Sequence, residues 1–179
     1  MSQSQIDITL FGRETSFRYS TYWLGYALIA LRLVMGYSLF SAGLRHLSAG
    51  QAFVGQTRGL MIGATQNPAN PFGFLFEPLV QFAGILAPIN AWALLLCGLG
   101  VMLGAFMRLS ALGGGMLMLT YWLALYPPEN SIFLNDRFVY MLLFFGLGAA
   151  GAGRILGVDE YLENLSIVKN NPWLKYLLG

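Results

Sequence analysis

LVQFAGILAPINAWALLLCGLGVMLGAFMRLSALGGGMLMLTYWLALY, residues 79–126, contains a single charge, Arg108. A helix needs about 20 apolar residues to cross a hydrocarbon core. The stretch is therefore long enough for two crossings, one over residues 79–107 and one over residues 109–126. In lipid only helices satisfy their own backbone at such lengths, because an open strand leaves donors unpaired. The two spans meet at Arg108 with almost no loop, which predicts a tight antiparallel hairpin. Gly98, Gly100 and Gly104 in the first arm, and Gly113, Gly114 and Gly115 in the second, are small enough to let helices approach closely.

Outward from the hairpin, two more stretches have the same length and character. Residues 22–44 are interrupted only by Arg32, and residues 138–157 carry Arg154 near their end. The expected fold is an all-α membrane protein, a four-transmembrane-helix bundle. Composition agrees: 56% of the chain is hydrophobic and only 10% charged, whereas a soluble domain carries about 25% charged residues. A net charge of +2 makes no case for nucleic acid. With one cysteine, Cys97, and one histidine, His46, the chain can form no internal disulfide. It also cannot build a zinc, haem or iron–sulfur site from its own nitrogen and sulfur ligands alone.

Three regions follow: a polar N-terminal segment (1–21), a transmembrane domain (22–158) and an amphipathic C-terminal tail (159–179). The N-terminal segment carries Asp7, Arg13, Glu14 and Arg18 and does not read as a cleaved signal. Basic residues set the expected orientation. One side holds Arg13, Arg18, Arg108, Arg154, Lys169 and Lys175, and the other Arg45, Arg58 and Arg137, which predicts cytoplasmic termini. The long loop after the first span would then face outward. Its middle, GQTRGLMIG from Gly55, reads as an interfacial segment, and Pro68, Pro71 and Pro78 forbid a regular helix beyond it. The tail reads as an amphipathic helix followed by an interfacial anchor at Trp173.

Arg32 is the most informative single residue. A charge inside a span costs at least ~2.5 kcal/mol on the insertion scale. No carboxylate lies within any of the four spans, so its partner must be backbone carbonyls, hydroxyls, water, another subunit or a ligand. It is a candidate catalytic contact to an anion or a quinone carbonyl, or else an arginine that caps carbonyls for assembly. Arg45, Arg58 and Arg137 could form a basic outer mouth for a small oxyanion, since arginine offers forked donors. The alternative is ordinary interfacial charge. His46 titrates near neutral pH and is a candidate proton relay. Glu77, Glu129 and Asp136 could deliver protons but are more simply solvated loop carboxylates. Tyr37, Trp92, Tyr121, Trp122 and Tyr126 could stack on a quinone ring or belong to an interfacial belt. Cys97 reads as packing.

LRLVMGYSLFSAGLRHL, from Leu31, resembles the first-helix signature of the DoxX/DoxD membrane family. CGLGVMLGAFMRLSAL, from Cys97, is similar to that family's second-to-third helix junction, and GAGRILGVDEYL, from Gly151, to its closing motif. The resemblance spans residues 24–162 and places Arg32, Arg108, Arg154 and Asp159 at family positions. It is strongest to the DoxD subgroup, the membrane subunit of archaeal thiosulfate:quinone oxidoreductase. It implies oxidation of thiosulfate to tetrathionate at the outer face, with quinone as electron acceptor. It also implies a DoxA-like small subunit as partner and an association with terminal quinol oxidase subunits. A role as a non-catalytic accessory subunit of such an oxidase is the alternative. In either case the chain is expected in a hetero- or homo-oligomer. Where many family members carry a second-helix glutamate, this chain has Leu94, so a proton role for that carboxylate is absent.

Overall fold

The structure, a computed structural model, describes residues 3–10, 12–128 and 134–178. Two strands come first, β1 (Gln3–Leu10) and β2 (Arg13–Ser20), paired antiparallel as a hairpin. Gly12 lies beside the reversal at φ +77°, a conformation that other residues rarely adopt. Seven α-helices follow among the described residues: α1 (Thr21–Ala49), α2 (Gln51–Gln66), α3 (Ala83–Leu103), α4 (Met107–Ala124), α5 (Asp136–Ala149), α6 (Asp159–Leu162) and α7 (Ser166–Asn170).

Four of them, α1, α3, α4 and α5, share one core. It is built from Met35 and Leu39, Leu94 and Val101, Met107 and Met118, and Phe144 and Leu147. The outward faces are apolar too: Val34, Ile85, Trp92, Leu112 and Phe145 are all more than half exposed. So much uncovered apolar surface belongs in lipid rather than water. Among the described residues, Thr21–Ala49 and Gly73–Leu103 are long and apolar enough to cross a membrane. The other two core helices are shorter, with 18 residues in α4 and 14 in α5. α1 and α3 touch backbone to backbone. A Cβ on Gly36 would lie 2.8 Å from the Gly98 carbonyl oxygen, and one on Gly43 would lie 2.5 Å from the Leu95 amide nitrogen. Glycines at such a crossing let packing contacts hold the pair where lipid supplies no hydrophobic drive.

The hairpin expected at Arg108 is present. Gly104 ends α3 in the left-handed region, and α4 begins at Met107. The long loop after α1 is more ordered than expected, because α2 is a regular helix of 16 residues. It buries Phe53 against Ala87 and Ala91, and Met61 and Ala64 against Ala83 and Ala124. The proline-rich stretch beyond it is not an α-helix. Asn70 fastens it to the end of α4, with Nδ2 donating to the Leu123 and Ala124 carbonyls at 3.1 and 3.3 Å. The fourth expected span, residues 138–157, ends early: α5 stops at Ala149, and Gly151 turns the chain at φ +60°. The tail is also broken. Leu165 is extended between α6 and α7, and Pro172 opens a separate 3₁₀ turn. The tail then returns to the bundle, with Leu178 fully buried and the Leu177 carbonyl accepting from the Leu109 amide at 3.3 Å.

Candidate functional site

Arg32 is 3% exposed and lies at the end of the bundle, beside the α3–α4 turn. Its Nη1 donates to the carbonyls of Ala152 at 2.7 Å and Ile155 at 2.9 Å, and its Nη2 to that of Leu156 at 3.1 Å. The left-handed turn at Gly151 and the positive φ of Leu156 point these carbonyls inward. Gly104 and Gly157 leave the space for the guanidinium, since a Cβ on either would come within 3 Å of Nη1. Of the partners open to Arg32 on sequence grounds, the structure supplies backbone carbonyls.

Asp159 completes this knot. It is fully buried, and its Oδ1 and Oδ2 accept from the Phe106 amide at 2.7 Å and the Met107 amide at 2.9 Å. These are unpaired amides at the N-terminus of α4, where the helix dipole favours a negative charge. The chain before Asp159 pairs with the same turn, Val158 donating to the Leu103 carbonyl and Asp159 to that of Gly104, at 3.0 and 2.9 Å. Asp159 lies just beyond the fourth span read in sequence and folds back under the bundle to full burial.

At the opposite end, α1, α2, α3, α4 and α5 enclose a pocket of about 290 Å³. Its polar lining includes His46, Thr57, Asn90, Tyr121 and Arg137. Tyr121 Oη donates to Asn90 Oδ1 at 2.5 Å. The His46 ring stacks on Phe53 with centroids 3.9 Å apart and planes 10° from parallel. Arg137 is held at the first turn of α5, whose N-cap Asn135 accepts from the Phe138 amide at 3.0 Å. The volume lies near the lower end of small-molecule sites, about 300–1,000 Å³, so the pocket suits one ring or one small anion.

The pocket thus brings together His46 and Arg137, two of the residues singled out in sequence, and Tyr121 from the aromatic set. Arg45 and Arg58 are exposed and do not line it; they adjoin His46 and Thr57 in sequence. Tyr37 is 61% exposed on α1 and lines neither site. Trp122 is buried in an aromatic cluster with Phe72, Tyr126 and Phe138, at centroid distances of 6.0, 5.3 and 5.9 Å. Arg154 is spent on Glu163, Nη2 to Oε1 at 2.6 Å on the surface. Arg108 is exposed in the first turn of α4, and Glu77 and Asp136 are also exposed. Glu129 lies outside the described residues. Sequence reasoning missed Asn90. The available signal was an amide side chain within an otherwise uncharged span, where a polar group needs a partner.

The DoxX family matches residues 27–127, more than half of the chain. The match takes in Arg32, Gly104 and all of the pocket's polar lining except Arg137, and stops before the closing motif with Asp159. No curated protein and no solved structure matches the chain. An apolar exterior, two helices long enough to cross a bilayer and this match lead to one conclusion: the chain belongs to the DoxX family of membrane proteins.

Proposed function

We propose that the chain is the membrane subunit of a thiosulfate:quinone oxidoreductase, with α1, α3, α4 and α5 all crossing the bilayer and both termini cytoplasmic. The observation that carries this reading is the outer pocket, where His46, Asn90, Tyr121 and Arg137 converge beside apolar Phe53 and Leu60. A quinone ring needs an apolar slot with donors for its oxygens, and the arginine and imidazole can provide them. The overall chemistry balances. Two thiosulfates lose one electron each and join through a new S–S bond in tetrathionate, while quinone gains both electrons and two protons. His46 and Tyr121 are the groups in the pocket able to move protons. Arg45 and Arg58, with Arg137, give the outer end the positive charge that would draw a thiosulfate dianion. A DoxA-like small subunit is the expected companion.

Arg32 takes a structural role in this proposal, because three backbone carbonyls already use both of its terminal nitrogens. The same observation favours a second reading, a non-catalytic accessory subunit of a terminal quinol oxidase complex, since the one deeply buried arginine serves the fold. The two readings separate in proteoliposomes containing the complex with its companion chain and a quinone. The oxidoreductase reading predicts thiosulfate-dependent quinol formation, with one tetrathionate per quinol. Unchanged quinone in the presence of the intact complex would contradict it and leave the accessory reading.

A further inference from the structure

A second cavity, about 490 Å³, runs as an open groove between α4 and α5, away from the polar pocket. Its walls are apolar, with Leu112, Met116, Phe144 and Phe145 among them, and Ala111 and Gly115 keep it clear. One charged residue lines it, Arg108, at the knot end. Arg108 is exposed, and among the described residues its side chain makes no hydrogen bond or ion pair. We propose that this groove holds one acyl chain of an anionic phospholipid, with the lipid phosphate against Arg108.

Two features select a lipid over another helix. Along α4 the groove runs from Arg108 to Leu119, a rise of about 16 Å at 1.5 Å per residue. That is roughly half of the ~30 Å hydrocarbon core, the depth of one leaflet. A transmembrane helix from a second copy would seek a seam along the full length of α4, whereas this groove covers about two thirds of it and stops at Leu119, short of the helix end at Ala124. Charge placement agrees as well. Arg108 sits in the first turn of α4, at the end where a headgroup would lie, and the remainder of the lining is apolar. An arginine offers a phosphate a planar fork of donors. Basic residues at this depth attract anionic headgroups by roughly fivefold each.

The test is photolabelling of the full chain in phosphatidylcholine nanodiscs doped with phosphatidylglycerol carrying a diazirine midway along one acyl chain. The control probe is phosphatidylcholine with the same acyl chain. The expected result is adducts on α4 and α5 at the groove, several-fold stronger for the phosphatidylglycerol probe. Labelling should fall roughly fivefold in Arg108→Gln and recover in part in Arg108→Lys. Gly115→Leu should abolish it by filling the floor. A Cβ at Gly115 meets only ordinary contacts, at 3.9 Å, so the backbone has no cause to shift. Excess inorganic phosphate should not compete. Equal labelling by both probes, indifference to Arg108→Gln, or full competition by phosphate would overturn the proposal. So would crosslinking to a second copy through α4 and α5 in place of lipid labelling.

Discussion

Asp159→Ala removes both acceptors that satisfy the Phe106 and Met107 amides. Each charge-assisted hydrogen bond contributes about 1.5–3 kcal/mol, so the two together contribute about 3–6 kcal/mol. For a chain of this length, 1 kcal/mol shifts the melting temperature by about 2–4 °C, so the expected fall is roughly 6–24 °C. Asp159→Asn keeps one acceptor and should fall about half as far. Glu160→Ala, exposed and next in sequence, is the control and should stay within about 0.5 kcal/mol of the parent. The assay is thermal loss of the monodisperse peak in mild detergent, followed by size-exclusion chromatography. If Asp159→Ala melts within a few degrees of the parent, the knot does not hold the bundle end together and the reasoning fails.

The α1–α3 crossing gives a contrast between glycines. Gly43→Ala should destabilise by about 1–3 kcal/mol, because its Cβ would collide with the Leu95 backbone. Gly55→Ala, on α2 with nothing within 4 Å of the new Cβ, should be neutral or stabilise by about 0.4–1 kcal/mol; the same melting assay reads both. Glu163→Gln breaks the Arg154 ion pair, whose arginine side chain is 56% exposed, and should cost no more than about 1 kcal/mol. For topology, a cysteine replacing Asn67 in a Cys97→Ala background should react with an impermeant maleimide on intact cells, and one replacing Lys169 should not. The reverse pattern would invert the proposed orientation.

Much of the bundle was legible because lipid imposes a coarse rule: long uncharged runs become helices. The α3–α4 hairpin could be placed from Arg108, the one charge between two uncharged runs. The rest depended on information that hydropathy does not carry. The N-terminal hairpin is signalled only by Ile6, Ile8 and Leu10 alternating with polar residues before Gly12, a period of two that the charged residues of the segment mask. The sequence reading extends α5 too far because residues 150–157 look like more apolar span; the chain leaves the helix at the left-handed turn of Gly151, and the carbonyls beyond it are taken by Arg32, a contact 120 residues away. Asp159 was named only through a family motif, since a carboxylate outside every span gives no sign that it folds back to full burial. The pocket was half legible. His46 and Arg137 stood out as titratable or charged, whereas Asn90 lay unremarked inside an apolar helix.

The most direct test separates the two ends of the molecule. Quinol formation per folded complex, and the yield of folded complex, are measured side by side for Arg137→Gln and Arg32→Gln. The proposed function predicts that Arg137→Gln assembles normally but turns over roughly tenfold to a hundredfold more slowly, the effect of losing one charge-assisted hydrogen bond of about 1.5–3 kcal/mol at the reacting ring. It predicts that Arg32→Gln lowers the yield while each complex that does assemble turns over at the parent rate. Slow turnover in well-assembled Arg32→Gln, together with full activity in Arg137→Gln, would contradict the account and move the chemistry to the knot.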